Sequence, residues 1–207
     1  EKVLQLSQYV AGRNTNANNI GEEVKNIPAE IGALLYYSTS PHLRNNIQKK
    51  AMEESRLGIP VLFGHDVIHG FRTVYPISIA QACSWNPALV EKACAMAARE
   101  ARLAGLDWTF SPMIDVARDP RWGRTEESYG EDAFLTSRLT VAFVKGLQGN
   151  DPKYWKSASL MKHFMANSNE DGRDSTSSDF DERLFREYYS FPFYKGITEG
   201  GSRAFMA

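Results

Sequence analysis

Short apolar runs alternate with longer amphipathic ones along most of this 207-residue chain, and the alternation repeats about four times. The apolar runs read as buried strands: Ile31 to Tyr37, Pro60 to Asp66, Leu106 to Val116, Ser157 to Phe164 and Ser202 to Ala207. The amphipathic runs between them predict helices near His42 to Leu57, Pro87 to Leu103, Asp132 to Leu147 and Glu182 to Thr198. Pro41 and Pro87 follow a Ser and an Asn, a pairing that caps a helix and presets its first turn, and Asp181 offers another cap. Gly58, Gly105 and Gly149 follow helical stretches, where a left-handed residue ends a helix. The opening, with Asn14, Asn16, Asn18 and Asn19, reads as a loop.

Strands that alternate with helices must run parallel, joined by right-handed crossovers, which leaves an open doubly wound sheet or a closed barrel. A nucleotide-binding open sheet needs a glycine-rich turn after its first strand, yet Tyr37 is followed by STSPH and no GxGxxG occurs. The expected class is therefore α/β, a (β/α)8 TIM-type barrel of which about the first five β/α units are present. Lys and Arg number 24 against 25 Asp and Glu, so no net field draws in nucleic acid or an anionic membrane. No run approaches the ~20 apolar residues of a membrane helix. The chain opens on Glu1 without the charged-then-apolar order of a signal peptide; if such a segment was removed, a periplasmic or secreted location is favoured. Cys83 and Cys94 lack metal-ligand spacing, and Cys94 in AxxCAMAA reads as core.

The apolar runs end in polar residues that are costly to bury alone: His65 and Asp66, Asp115 and Arg118, Lys162 and His163. In a barrel all strand C-termini open on one face, so these residues would converge. One carboxylate among cationic donors, with no phosphate loop, suits a neutral ligand rich in vicinal hydroxyls: Asp accepts from two hydroxyls while Arg, Lys and His donate. Sugars fit that description. Each residue also has a plain structural reading, and Asp66 could instead cap a turn.

The segment RDPRWGRTEESYGED reads as a long ordered loop, since Trp122 and Tyr129 argue against disorder. Arg118, Arg121 and Arg124 are expected to pair with Glu126, Glu127, Glu131 and Asp132, leaving one Arg for ligand. His65 and His69 in HDVIH approach the HExxH zinc signature, but strand and glycine flank them and no third ligand is evident, so no metal or other cofactor is expected. No GxSxG elbow marks a serine nucleophile. A strand-end lysine such as Lys162 could also serve as a Schiff base in an aldolase-like barrel.

Taken together, GIPVLFGHDVIHG, TVYPISIAQACSWNP, FSPMIDVARDPRWGRTEESYGED and KHFMANSNEDGRDS resemble glycoside hydrolase family 3, from about Ile31 to Ala207. The resemblance implies a (β/α)8-type barrel with a non-reducing-end sugar at its mouth. It implies that Asp66 binds hydroxyls, that Arg124 lines the pocket, that Lys162 and His163 complete the clamp, and that Met206 lines the same pocket. It further implies a retaining exo-β-glycosidase, with an aspartate nucleophile on a later strand and an acid/base from beyond the barrel. Asp107, Asp115 and Asp119 lack the nucleophile's context, and no catalytic residue is assigned here. The loop KHFMANSNEDGRDS departs from the N-acetylglucosaminidase branch, which favours a β-glucoside or β-xyloside as substrate; Asn167, Glu170, Arg173 and Asp174 would shape the loop beside the pocket.

About five strands fall short of an eight-stranded barrel of ~250 residues, and the last run ends within an apolar strand. Residues 1–207 are thus expected to be the front part of one barrel domain, inactive alone and completed by the rest of the enzyme. The alternative from another class is a catalytically inactive sugar-binding barrel.

Overall fold

The computed structural model describes residues 2–10, 24–35, 40–168 and 177–207. The chain divides into two compact units, residues 1–65 with 103–108, and residues 66–102 with 109–207.

In the first unit β1 (Gln8–Val10), β2 (Ala33–Leu35) and β3 (Leu62–His65) pair in parallel, with Leu34 opposite both Tyr9 and Phe63. Helix α1 (Pro41–Glu54) connects β2 to β3; the Ser40 side chain accepts from Leu43 N and Pro41 occupies its first turn. Its buried residues Leu43, Ile47 and Ala51 recur every four positions, so a single stripe faces the core. The start of β3 is clipped to that helix by the Gln48 amide, which donates to Val61 O and accepts from Val61 N at 2.7 and 2.9 Å. Asp107 serves the same strand: its carboxylate accepts from Phe63 N, and its own N–H donates to Phe63 O.

The second unit carries α2 (Ser78–Ala82), α3 (Pro87–Leu103), α4 (Ala133–Gln148), β5 (Ala158–Lys162), α5 (Phe191–Thr198) and β6 (Ala204–Met206); β4 (Trp108–Thr109) lies at the division. Strands β5 and β6 are parallel, in the register Leu160↔Ala204, Met161↔Phe205 and Lys162↔Met206. On the other side of β5 the chain at 111–114 runs alongside: Leu160 N donates to Ser111 O, Lys162 N to Pro112 O, and Ile114 N to Lys162 O. Alternation along β5 then decides where side chains go. Met161 is fully buried in a core with Val90, Cys94, Leu139, Phe143, Leu147 and Phe193, whereas Lys162 points to the opposite face. Burial pushes the Cys94 thiol far above its ordinary range, with Glu91 adding to the effect, so it behaves as an apolar core group.

Most expected elements are present, with shifted ends. Helix α3 spans the predicted residues, and Gly58, Gly105 and Gly149 take positive φ of 59, 86 and 78°. The run Leu106 to Val116 forms a regular strand only at Trp108–Thr109; Pro112 supplies no ladder N–H, and the remainder follows β5 through the Ser111 and Pro112 carbonyls and the Ile114 N–H. The helix expected over Glu182 to Thr198 is broken: a turn at Glu182–Leu184 passes into a π-helical stretch at Phe185–Tyr189, and α5 restarts beside Pro192. Among the described residues six strands are formed rather than about five, since β1 precedes the first apolar run. The Asn-rich opening and Tyr36 to Tyr37 lie outside the described residues.

Helices α3 and α4 approach closely at Gly146, where an added Cβ would stand 2.5 Å from Glu91 O and 2.8 Å from the Cys94 Cβ. Gly146→Ala gains up to about 1 kcal/mol of helix propensity but forces the two backbones apart at a cost of roughly 1–3 kcal/mol. We expect a net loss of about 1 kcal/mol in urea unfolding; an unchanged or raised midpoint would contradict this packing.

Candidate functional site

The site grows from the C-terminal end of β5. Lys162, the last residue of that strand, is buried between the extended segment around Met113 and its register partner Met206. A buried ammonium needs a counter-charge. Asp66, directly after β3 in sequence, provides it: Lys162 Nζ donates to Asp66 Oδ1 at 2.6 Å, with the lysine side chain 4% exposed and the aspartate 53%. The second Asp66 oxygen has no partner among the described residues and faces solvent.

His163 follows, turned by a cis peptide from Lys162. Its backbone N–H donates to Asp115 Oδ2 at 3.2 Å, and its Nδ1 lies 2.8 Å from the same oxygen. The Asp115 side chain is fully buried, and its Oδ1 has no partner among the described residues. On the far side of the ring, Nε2 lies 3.0 Å from Arg124 Nη1. Arg124 in turn grips Glu127 in a two-pronged pair, Nε to Oε1 and Nη2 to Oε2, both 2.6 Å. The Glu127 hydrogen bond raises the basicity of the Arg124 guanidinium, which partial burial only partly offsets. The same bond holds the Glu127 carboxyl below the usual carboxylate range.

Arg124 is presented by the loop after residue 118, which is anchored as its aromatics suggest. Trp122 is buried with Met113 and Ala117, and Tyr129 is buried in the larger core. A 3-10 turn at Thr125–Glu127 brings Glu127 three residues on from Arg124, within reach of its fork.

Of the five residues singled out from sequence, Lys162 meets Asp66 and His163 meets Arg124 directly, Lys162 and His163 are consecutive, and Met206 lies in register beside Lys162. The expected charge network is only partly as predicted. Arg124 does pair with Glu127, but Arg121 pairs with Asp119, two residues before it, through bonds of 2.6 to 3.1 Å. Arg118 leans on Tyr188 and Tyr189. His65 ends a strand and no helix runs through HDVIH, so the zinc-signature geometry is not there; His69 instead donates from Nδ1 to Tyr75 O, closing a local turn. Glu170, Arg173 and Asp174 lie outside the described residues, and Asn167 within them. Sequence reasoning placed Asp115 among the converging strand-end groups without giving it a role, and counted Glu127 only as an ion-pair partner of the arginines. The signal was available for both: a carboxylate ending the apolar run FSPMI, and an acid at i+3 from the pocket arginine. A cavity of about 510 Å³ in the same unit is lined by Tyr75, Pro76, Leu89, Val90 and Met96 among others, an apolar wall without the donor and acceptor density a sugar requires.

Residues 1–207 match, over their whole length, the model of the glycosyl hydrolase family 3 N terminal domain. The chain belongs to glycosyl hydrolase family 3. A periplasmic β-glucosidase of Salmonella typhimurium is 39% identical over 209 residues, covering 100% of this chain and 27% of that protein. A β-xylosidase of Formosa agariphila is 34% identical, covering 99% of this chain and 30% of its own length. A mutant β-glucosidase from Listeria innocua, solved in complex with laminaribiose, superimposes with a TM-score of 0.85 at 33% identity, covering 99% of this chain and 30% of that one. The chain therefore spans less than a third of the length of these relatives. The fold class of this family 3 chain is α/β of the (β/α)-barrel type.

The Arg124–Glu127 pair has a pH signature. Because the folded Glu127 carboxyl titrates lower than an unfolded one, near 4.3, its stabilisation is fully present above that pH and fades as acid takes the solution through the folded value. Wild type should exceed Glu127→Gln by about 1–2 kcal/mol in unfolding at neutral pH, with the gap closing below about pH 4. A gap that does not vary between neutral pH and pH 3 would refute the pairing.

Proposed function

We propose that this chain positions the non-reducing-end sugar of a β-linked glucoside or xyloside for a retaining exo-glycosidase. In this reading Asp66 accepts from two neighbouring hydroxyls, Lys162 and Arg124 donate to hydroxyl oxygens, and His163 and Met206 complete the wall of the pocket. The observation that carries the reading is the Lys162–Asp66 pair. A buried ammonium uses one of its three N–H bonds on a carboxylate whose other oxygen is open, leaving matched donors and acceptors beside each other. Water is an adequate partner for them in the free site, and a ring of vicinal hydroxyls is a better-ordered one.

The family's members named above are β-glucosidases and a β-xylosidase, which supports hydrolysis as the reaction. Retention requires two carboxyl groups about 5 Å apart acting in turn, one forming a glycosyl-enzyme intermediate and the other switching from acid to base. Asp66, Asp115 and Glu127 are each committed to a cationic or imidazole partner, so we assign both catalytic carboxyls to the part of the full-length protein outside residues 1–207. Residues 1–207 then serve as one portion of a larger barrel domain. The same ion pair argues against the Schiff-base reading: a lysine held at 2.6 Å from a carboxylate is an ammonium, with no lone pair to attack a carbonyl.

The full-length protein should hydrolyse an aryl β-glucoside or β-xyloside, and Asp66→Ala should lower kcat/KM by about 100-fold or more, the loss of two charge-assisted hydrogen bonds. Binding of glucose without any hydrolysis by the full-length protein would favour the inactive sugar-binding barrel instead. Unchanged kcat/KM in Asp66→Ala would remove Asp66 from the site.

A further inference from the structure

We infer that Asp115 is a positioning residue which, by fixing the tautomer of His163, aims Arg124 at the ligand. The inference rests on the sugar-site reading above and adds a residue and a direction of hydrogen bonding to it. An arginine guanidinium carries five N–H donors and no acceptor, and it stays charged in proteins. The 3.0 Å contact between Arg124 Nη1 and His163 Nε2 therefore has one polarity: arginine donates and Nε2 accepts through its lone pair. An imidazole whose Nε2 is an acceptor carries its proton on Nδ1. That N–H meets Asp115 Oδ2 at 2.8 Å, and the same oxygen also takes the His163 backbone N–H at 3.2 Å.

The chain of bonds is thus Glu127, Arg124, His163, Asp115, with the donor and acceptor of each bond assigned. It gives His163 a different role from the donor expected of it: the ring presents a lone pair. The opposite tautomer would set an Nε2–H against an arginine N–H and repel it. Asp115 is well built to prevent this, because its side chain is fully buried and reaches His163 both through the ring and through the backbone. With three N–H groups held by Glu127 and His163, the two that remain on Arg124 have fixed directions and no partner among the described residues. Those two are the donors we assign to the sugar. Pre-aimed donors lose little freedom on binding, which is where affinity is gained.

The test uses the full-length protein and two independent readouts. First, side-chain nitrogen chemical shifts of labelled histidine, with His163→Ala to assign the signal, should show His163 protonated at Nδ1 and bare at Nε2 without any sugar present. A protonated Nε2 in the neutral ring overturns the inference whether or not the protein binds sugar. Second, the inhibition constant of glucose is compared across variants. Asp115→Leu, which offers Nδ1–H no acceptor, should weaken glucose about tenfold or more. Asp115→Asn, whose amide oxygen can still accept, should restore most of that loss. Asp115→Leu combined with His163→Ala should be no weaker than His163→Ala alone, since the aspartate acts through the ring. Additive losses, or an Asp115→Asn as poor as Asp115→Leu, would overturn the inference. If the Leu variant does not fold, the Asn variant and the nitrogen shifts decide it. Failure of wild type to bind glucose would sink the sugar-site reading while the tautomer remains readable.

Discussion

A lysine ammonium at the end of an apolar strand cannot be left alone, and the rest of this site depends on how that constraint is met. Lys162 ends β5, one residue from Met161 in the hydrophobic core, so the alternation that buries Met161 also commits Lys162 to the opposite face. Asp66 supplies the counter-charge at 2.6 Å. A pair of this kind contributes little net stability, since taking the lysine ammonium out of water costs about as much as its attraction to the half-exposed Asp66 returns. Its presence therefore suits a role in function better than a role in holding the fold together.

Around that pair the protein builds a polar network in which each group is held by another. Glu127 grips Arg124, Arg124 meets His163, and His163 is held by Asp115 through ring and backbone. The elements behind them are ordinary: a buried Trp122 and Tyr129 fix the loop that carries Arg124, and neighbouring extended chain fixes β5 on both sides. That frame leaves an open Asp66 oxygen and two Arg124 N–H groups as valences without a partner among the described residues. In the reading proposed here those valences are filled by the hydroxyls of one sugar ring.

Much of this was legible in the sequence, for local reasons. Ser40–Pro41 and Asn86–Pro87 mark helix starts because capping and proline's fixed φ act within one turn, and both helices begin there. Lys162 and His163 stood out because an apolar run ending in charge is costly unless something answers it. What was not legible was pairing at a distance. Asp115 and His163 are 48 residues apart, and nothing in either segment names the other. Asp115 was therefore noted as a strand-end group and left without a role. The arginine loop misled in the opposite sense: Arg121 had several acids downstream, but the shortest path led back to Asp119. Strand β1 was missed because Gln8–Val10 has no apolar run to announce it, and its membership of the sheet is decided by its partner β2.

In the proposed reading Asp66, Lys162 and Arg124 meet the same sugar ring. It is tested most directly by a crystal structure of the full-length protein with glucose bound. Adjacent hydroxyls are expected within hydrogen-bond distance of the open Asp66 oxygen, with Lys162 Nζ and the two uncommitted Arg124 N–H groups donating to the ring's oxygens. A glucose held elsewhere, with the Lys162–Asp66 pair out of reach of any hydroxyl, would contradict it.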